Sequence, residues 1–316
     1  ALGIIEGTVL DVACQTRRAL AVGYGDGTAK VWDCQHGDCT ATLRGHTGSV
    51  TSVACAPDGH VIATGSRDGT TKVWSINAGI CTQDFHMGPS HVESVAFSHD
   101  CAYLGAGSAD GTGQIFSLLR GSRVLALQGH EGTVTSIAFS FDGGAIATGS
   151  SDRSVRVWHG KSGLCILAVT PQSAPVTSVA FSPDANYIAI GAKDAVAKVI
   201  SRWSGQCIYE LGSLDGHSHF VSSVAFSPDG RFILTGSDDG TAKVWGTLHR
   251  ECELTLPHHR CRVTSLAVAP DGLTLATCSD NGIASVWSLE DGKCLMQFDS
   301  PGGIGTSVAL AFPCPP

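Results

Sequence analysis

Residues 216–245 read GHSHFVSSVAFSPDGRFILTGSDDGTAKVW. Three short apolar runs, Val221–Phe226, Phe232–Thr235 and Ala242–Trp245, are separated by two turn signals. Pro228-Asp229-Gly230 breaks the first run. Asp239-Gly240 predicts a tight hairpin between the other two, with positive φ at both central positions. The runs alternate by twos, and helical periodicity is absent, so the stretch reads as strand, turn, strand, hairpin, strand.

The same phrase recurs along the chain. Trp32, Trp74, Phe116, Trp158, Ile200, Trp245 and Trp287 end its third strand at intervals of 42, 42, 42, 42, 45 and 42 residues. Asp26, Asp68, Asp110, Asp152, Asp194, Asp239 and Asn281 stand six residues before them. A repeat of this length with four short strands, a Gly-His near its start and a Trp near its end describes one propeller blade.

The chain therefore resembles the WD-repeat β-propellers over nearly all its length, although the naming dipeptide survives only at Trp32-Asp33. The resemblance implies an all-β, seven-bladed propeller of four-stranded antiparallel blades. The repeat sets the blades at about 4–44, 45–86, 87–128, 129–170, 171–213, 214–256 and 257–300. Gly7–Cys14 is expected as the inner strand of the first blade. Residues 301–316 add a further strand or begin another repeat, since Thr306–Phe312 falls in register with Thr264–Val268. Blades 3 and 5 are degenerate, and three extra residues lie in Gly212–Asp215.

A ring of repeats grows by addition and stays one domain at 316 residues. The net charge of −8, from 20 basic and 28 acidic residues with no Lys/Arg block, argues against a general nucleic-acid or membrane-surface binder. No apolar run approaches the ~18 residues of a membrane helix. The first residues, without a basic leader or an initiator Met, suggest a non-secreted chain that is a fragment or processed. Of 13 cysteines, Cys39, Cys81, Cys165, Cys207, Cys252 and Cys294 fill one repeat column on different blades, too far apart to pair. Read as small buried hydrophobes, they fit a reducing cytoplasm or nucleus.

His46, Thr64, Asp68 and Trp74 recur as His130, Thr148, Asp152 and Trp158 and again as His217, Thr235, Asp239 and Trp245. A fourth set, His259, Thr277, Asn281 and Trp287, has an amide for the carboxylate. Met once, hydroxyl, imidazole and carboxylate suggest a hydrolase. Repeated at a fixed period, they imply structural tetrads, which the family resemblance describes as a chain from Asp through His and Thr to the indole. Gly105–Gly111 imitates a dinucleotide loop, but a strand rather than a helix follows it. His86/His91, His217/His219 and His258/His259 with Cys261 offer too few uncommitted ligands for a metal. No catalytic residue, metal or cofactor is expected.

Function is expected on the face that carries the tetrad loops, which in this family commonly binds peptides around the channel mouth. Just before the inner strands stand Thr8, Ser49, His91, Thr133, Pro175, Phe220 and Arg262; just before the hairpin acids stand Gly25, Arg67, Ala109, Ser151, Lys193, Asp238 and Asp280. Phe220 is the sharpest candidate, a large aromatic in a loop beside the insertion, with Arg260 and Arg262 beside it for an acidic ligand. Asp11 takes the inner-strand place that Ser holds six times. These residues point to a non-catalytic scaffold that binds proteins or peptides within a multiprotein assembly. The alternatives are a sensor propeller of a larger signalling, cytoskeletal or ciliary protein and, more remotely, an enzyme domain.

Overall fold

The structure, a computed structural model, describes residues 19–212, 216–256, 261–299 and 304–311. Within them the chain is all-β and makes seven four-stranded antiparallel sheets. Blade 6 is typical: Val221–Phe226, Phe232–Ser237, Ala242–Gly246 and Cys252–Leu256 pair in chain order. The inner strands adjoin from blade to blade and close a ring. Side chains on facing sheets build the core, as where Val221, Val224 and Trp245 of blade 6 meet Ala189 and Val199 of blade 5.

Ring closure departs from the sequence expectation. Gly305–Ala311 pairs antiparallel with Ala19–Tyr24, Leu20 opposite Leu310, and is the inner strand of blade 1. Gly7–Cys14, expected in that place, lies outside the described residues. Ser307 explains how the C-terminal strand fits. Ser52, Ser94, Ser136, Ser178 and Ser223 each accept the amide N–H of an inner strand in the next blade, and Ser307 accepts that of Val53 in the same way. Asp11 would have brought a charge to a place that a short hydroxyl fills.

The hairpin at Asp239-Gly240 also differs. Only Gly240 has positive φ, 82°. Its N–H donates to the Ser237 carbonyl, while the Ser237 N–H donates to Thr241, the pattern of a three-residue loop closed by a left-handed glycine. That geometry leaves the Asp239 carboxylate beside Thr241, whose amide and hydroxyl donate to it at 2.8 and 2.6 Å.

The cysteine column is not buried. Cys39, Cys81, Cys165, Cys207 and Cys294 are exposed and Cys252 half-buried, all as free thiols. They begin the outer strands, where burial is concentrated near the far end, as at Leu43, Phe85 and Leu256.

Adjacent blades approach so closely that the second strand carries a glycine opposite a valine of the next inner strand. A Cβ on Gly65 would lie 2.6 Å from Val92 Cγ1, and one on Gly236 2.8 Å from Val263 Cγ1. At the closure both residues change: Cys278 occupies the glycine place and Gly305 the valine place. A Cβ on Gly305 would stand 2.5 Å from Cys278 Sγ. Gly305→Val is thus expected to lose ~1–3 kcal/mol by overpacking. Adding Cys278→Gly should recover at least half of it in urea titrations. Losses that simply add in the double variant would overturn the compensation.

Candidate partner-binding face and channel mouth

Each complete tetrad is a directed chain of hydrogen bonds. His46 Nδ1 lies 2.9 Å from Asp68 Oδ2 and its Nε2 2.7 Å from Thr64 Oγ1, which accepts the Trp74 indole N–H at 2.8 Å. In blade 4, His130 lies 3.0 Å from Asp152 and 2.7 Å from the Thr148 hydroxyl, which accepts from Trp158 at 2.8 Å. Thr148 is fully buried at the centre of this chain. In blade 6, His217 lies 2.9 Å from Asp239 and 2.7 Å from Thr235, which accepts from Trp245 at 2.8 Å. One tautomer serves all: Nδ1–H donates to the carboxylate and Nε2 accepts the threonine proton. Burial is the main force on the imidazoles and holds them below the usual histidine range, against the pull of the carboxylates, so they are neutral at pH 7. Burial would raise Asp68, but the Thr70 hydroxyl, the Thr47 and Thr70 amides and His46 outweigh it and hold the carboxyl well below its usual range.

Where the tetrad degenerates, the partners are lost in different ways. In blade 3, Gly88, Ala106 and Phe116 replace His, Thr and Trp together, and Phe116 stacks on Phe85 at 4.5 Å. In blade 5, Ile190 and Ile200 replace Thr and Trp, but Gln172 stays buried with no hydrogen bond at either end of its amide. Blade 1 has Val22 for Thr, and the Trp32 indole nitrogen finds no acceptor. In blade 7, Trp287 donates to Thr277 at 2.7 Å, and Asn281 caps its own hairpin by accepting from Ser279 and Ile283. His259 lies outside the described residues.

A backbone hydrogen bond ties the two loop columns together. The amides of Arg67, Ala109, Ser151, Lys193, Asp238 and Asp280 donate to the carbonyls of Ser49, His91, Thr133, Pro175, Phe220 and Arg262. The Gly25 amide donates to Ile304, so Ile304 stands where Thr8 was expected. It is 61% exposed, and a shift of 42 residues from Arg262 locates it in the sequence.

Phe220 is 46% exposed, and the neighbouring Asp238 lies 3.7 Å from the exposed Arg262. Arg67 and Lys193 are exposed; Asp280 is half-buried, with one carboxylate oxygen unpartnered. His91 is exposed but committed, its Nδ1 2.5 Å from the Arg67 carbonyl. Arg260, Asp11 and Thr8 lie outside the described residues. Between blades 1 and 2 a cleft of about 440 Å³ opens, lined by Gly25, Asp26, Ser49, Arg67, Ile304 and Thr306 among others. Among the described residues no group of three or more His, Cys, Asp or Glu side chains is placed to hold a metal.

The channel behind this mouth has a volume of about 240 Å³. Every inner strand carries a β-bulge one residue into its pairing, at Thr51, Glu93, Thr135, Thr177, Ser222, Thr264 and Thr306. A bulge re-aims a side chain, and here all seven line the channel. Thr51 and Thr306 line the cleft as well, so the bulge ring sits at the tetrad end.

Closed meander blades, repeated Asp–His–Thr–Trp chains and a hydroxyl-lined channel define the class of WD-repeat propellers. The sequence model of the WD domain, G-beta repeat, matches residues 37–75, 79–117, 121–159, 163–201, 205–246 and 250–288, and the chain belongs to this family. It is similar to ribosome assembly protein 4 of Chaetomium thermophilum, 52% identical over 40 residues, 13% of this chain and 8% of that protein. Human WD repeat-containing protein 86 is 51% identical over 41 residues, 13% of this chain and 11% of that protein. Ribosome assembly protein 4 of Saccharomyces cerevisiae is 42% identical over 50 residues, 16% of this chain and 10% of that protein. The matched stretches thus cover about a tenth of these relatives, little more than one repeat.

Proposed function

We propose that the chain is a non-catalytic scaffold which binds proteins or peptides on its tetrad face, as part of a multiprotein assembly. One observation carries this reading. The recurring polar groups of that face are turned inward on one another, while the residues that break the repeat there, Phe220 and Ile304, are apolar and exposed. Large side chains offered to solvent on a rigid frame have the character of interface anchors. Arg262 and Asp238 beside Phe220 supply a polar rim. Two relatives are named for ribosome assembly, which favours a role in building or holding a complex. Exposed free thiols favour a reducing compartment, cytoplasm or nucleus.

The test is a Phe220→Ala/Arg262→Ala variant expressed in the source cell, with recovery of co-purifying proteins quantified by mass spectrometry. Stability should stay within ~0.5 kcal/mol of the parent, as for surface changes. Recovery of the main partner should fall by about tenfold or more, the size of a hot-spot loss. Unchanged recovery would move the site off this part of the face.

A further inference from the structure

We propose that Glu93 makes the tetrad end of the channel a receptor for the cationic head group of a lysine or arginine side chain from a bound partner. In the other six blades the bulge residue is a hydroxyl. In four of them it donates to two carbonyls across the ring, Thr177 donates to that of Val221 alone, and the Thr306 hydroxyl is buried without a partner among the described residues. Thr51 donates to the carbonyls of Gly65, at 3.0 Å, and Val92, at 2.5 Å, and Thr135 to those of Gly149 and Val176, at 3.0 and 2.8 Å. Ser222 and Thr264 repeat the arrangement. At the equivalent place in the channel lining stands Glu93, and a shift of 42 residues makes the matching carbonyls those of Gly107 and Val134. An ionised carboxylate accepts and cannot donate. The third blade therefore presents two carbonyls without the bulge donor and, beside them, a negative charge.

Glu93 is half-buried and, among the described residues, is the sole ionisable one lining the channel. Among the described residues no cation or other donor is placed on it. Two carbonyls and one carboxylate match an ammonium or a guanidinium, which bring charge and several N–H donors together. At about 240 Å³ the channel is below the ~300–1,000 Å³ of clefts for drug-sized ligands, so it suits the end of one side chain. The mouth opens on the face proposed for partner binding, and the inference rests on that reading.

The test is a methyl NMR titration of the intact chain, following Val95 and Ile137, which line the channel with Glu93, and Val134, which carries one of the two carbonyls. The probes are Nα-acetyl-lysine methylamide, Nα-acetyl-arginine methylamide, the uncharged norleucine analogue and ammonium chloride. Saturable shifts are expected with a charged blocked amino acid and not with norleucine. They should weaken at least tenfold in Glu93→Gln and in Glu93→Thr. The threonine variant restores the hydroxyl of the other blades and should melt at or above the parent, which separates lost binding from lost fold. Absence of saturable shifts, or shifts that persist in both variants, overturns the proposal. Equal saturation by ammonium chloride also overturns it, making the site one for a free cation. Because the probes enter without the partner, failure here leaves the Phe220/Arg262 experiment standing, and the reverse also holds.

Discussion

A chain ending at Asp299 is expected to lose cooperative unfolding and to aggregate when concentrated. Gly305–Ala311 is the inner strand of blade 1, and without it Ala19–Tyr24 becomes an open edge although all six of its residues are buried in the closed ring. Val308 and Leu310, 3% and 7% exposed, pack against Leu20, Val22 and Tyr24. Two such side chains contribute about 1.5–3 kcal/mol each, and the lost ladder hydrogen bonds a further ~0.5–1.5 kcal/mol each. The total is comparable to the ~5–15 kcal/mol that holds a domain folded. An unpaired apolar edge also templates association. Urea titrations followed by fluorescence and by circular dichroism should therefore broaden and cease to coincide, and a peptide of residues 304–316 supplied in trans should restore a single transition. A truncated chain that melts as sharply and as late as the intact one would show that the ring does not depend on this strand.

The blade phrase was legible because propeller packing imposes the same demands at every copy. Trp, Asp and Gly stand where an indole, a hairpin cap and a close approach are needed, and each need recurs with the repeat. Closure was harder to read, since Gly7–Cys14 and Thr306–Phe312 both fit the inner-strand pattern. The deciding contact, Ser307 with the Val53 amide, joins residues 254 apart. The exposed cysteines were misread for a related reason: hydrophobicity ranks a residue type, whereas burial on an outer strand depends on which blade face lies beneath it. Ile304 and Glu93 are visible in the sequence only when whole columns are compared. Ile304 replaces Thr8 once the last strand is assigned to blade 1, and Glu93 is the lone acid in a column of hydroxyls.

The tetrads should carry the largest share of stability that any polar group supplies. Asp68 accepts four hydrogen bonds, from His46, the Thr47 amide, and the amide and hydroxyl of Thr70. Asp152 and Asp239 do the same in blades 4 and 6. Replacing one of them by Ala leaves a buried imidazole and two loop amides without an acceptor, at a cost of ~1–3 kcal/mol. The three blades are not neighbours, so Asp68→Ala, Asp152→Ala and Asp239→Ala should add, to ~3–9 kcal/mol. Asp110→Ala is the control: this residue is exposed and caps only Thr112, and its loss should be smaller. Acid should act on the parent through the same groups. The folded imidazoles titrate below the unfolded value of ~6.5, so the unfolded state takes up protons first and stability falls as pH drops from about 6.5. The three carboxyls are also held below their unfolded value of ~3.9, and a second loss follows beneath that pH. In the triple variant these carboxyls' contribution to the lower loss should vanish while the upper one remains, because its histidines stay buried with no carboxylate to raise them. Urea titrations from pH 7 to pH 3 measure both. Single variants within ~0.5 kcal/mol of the parent, or a parent whose stability does not change with pH, would show that the tetrads do not bind the blades together.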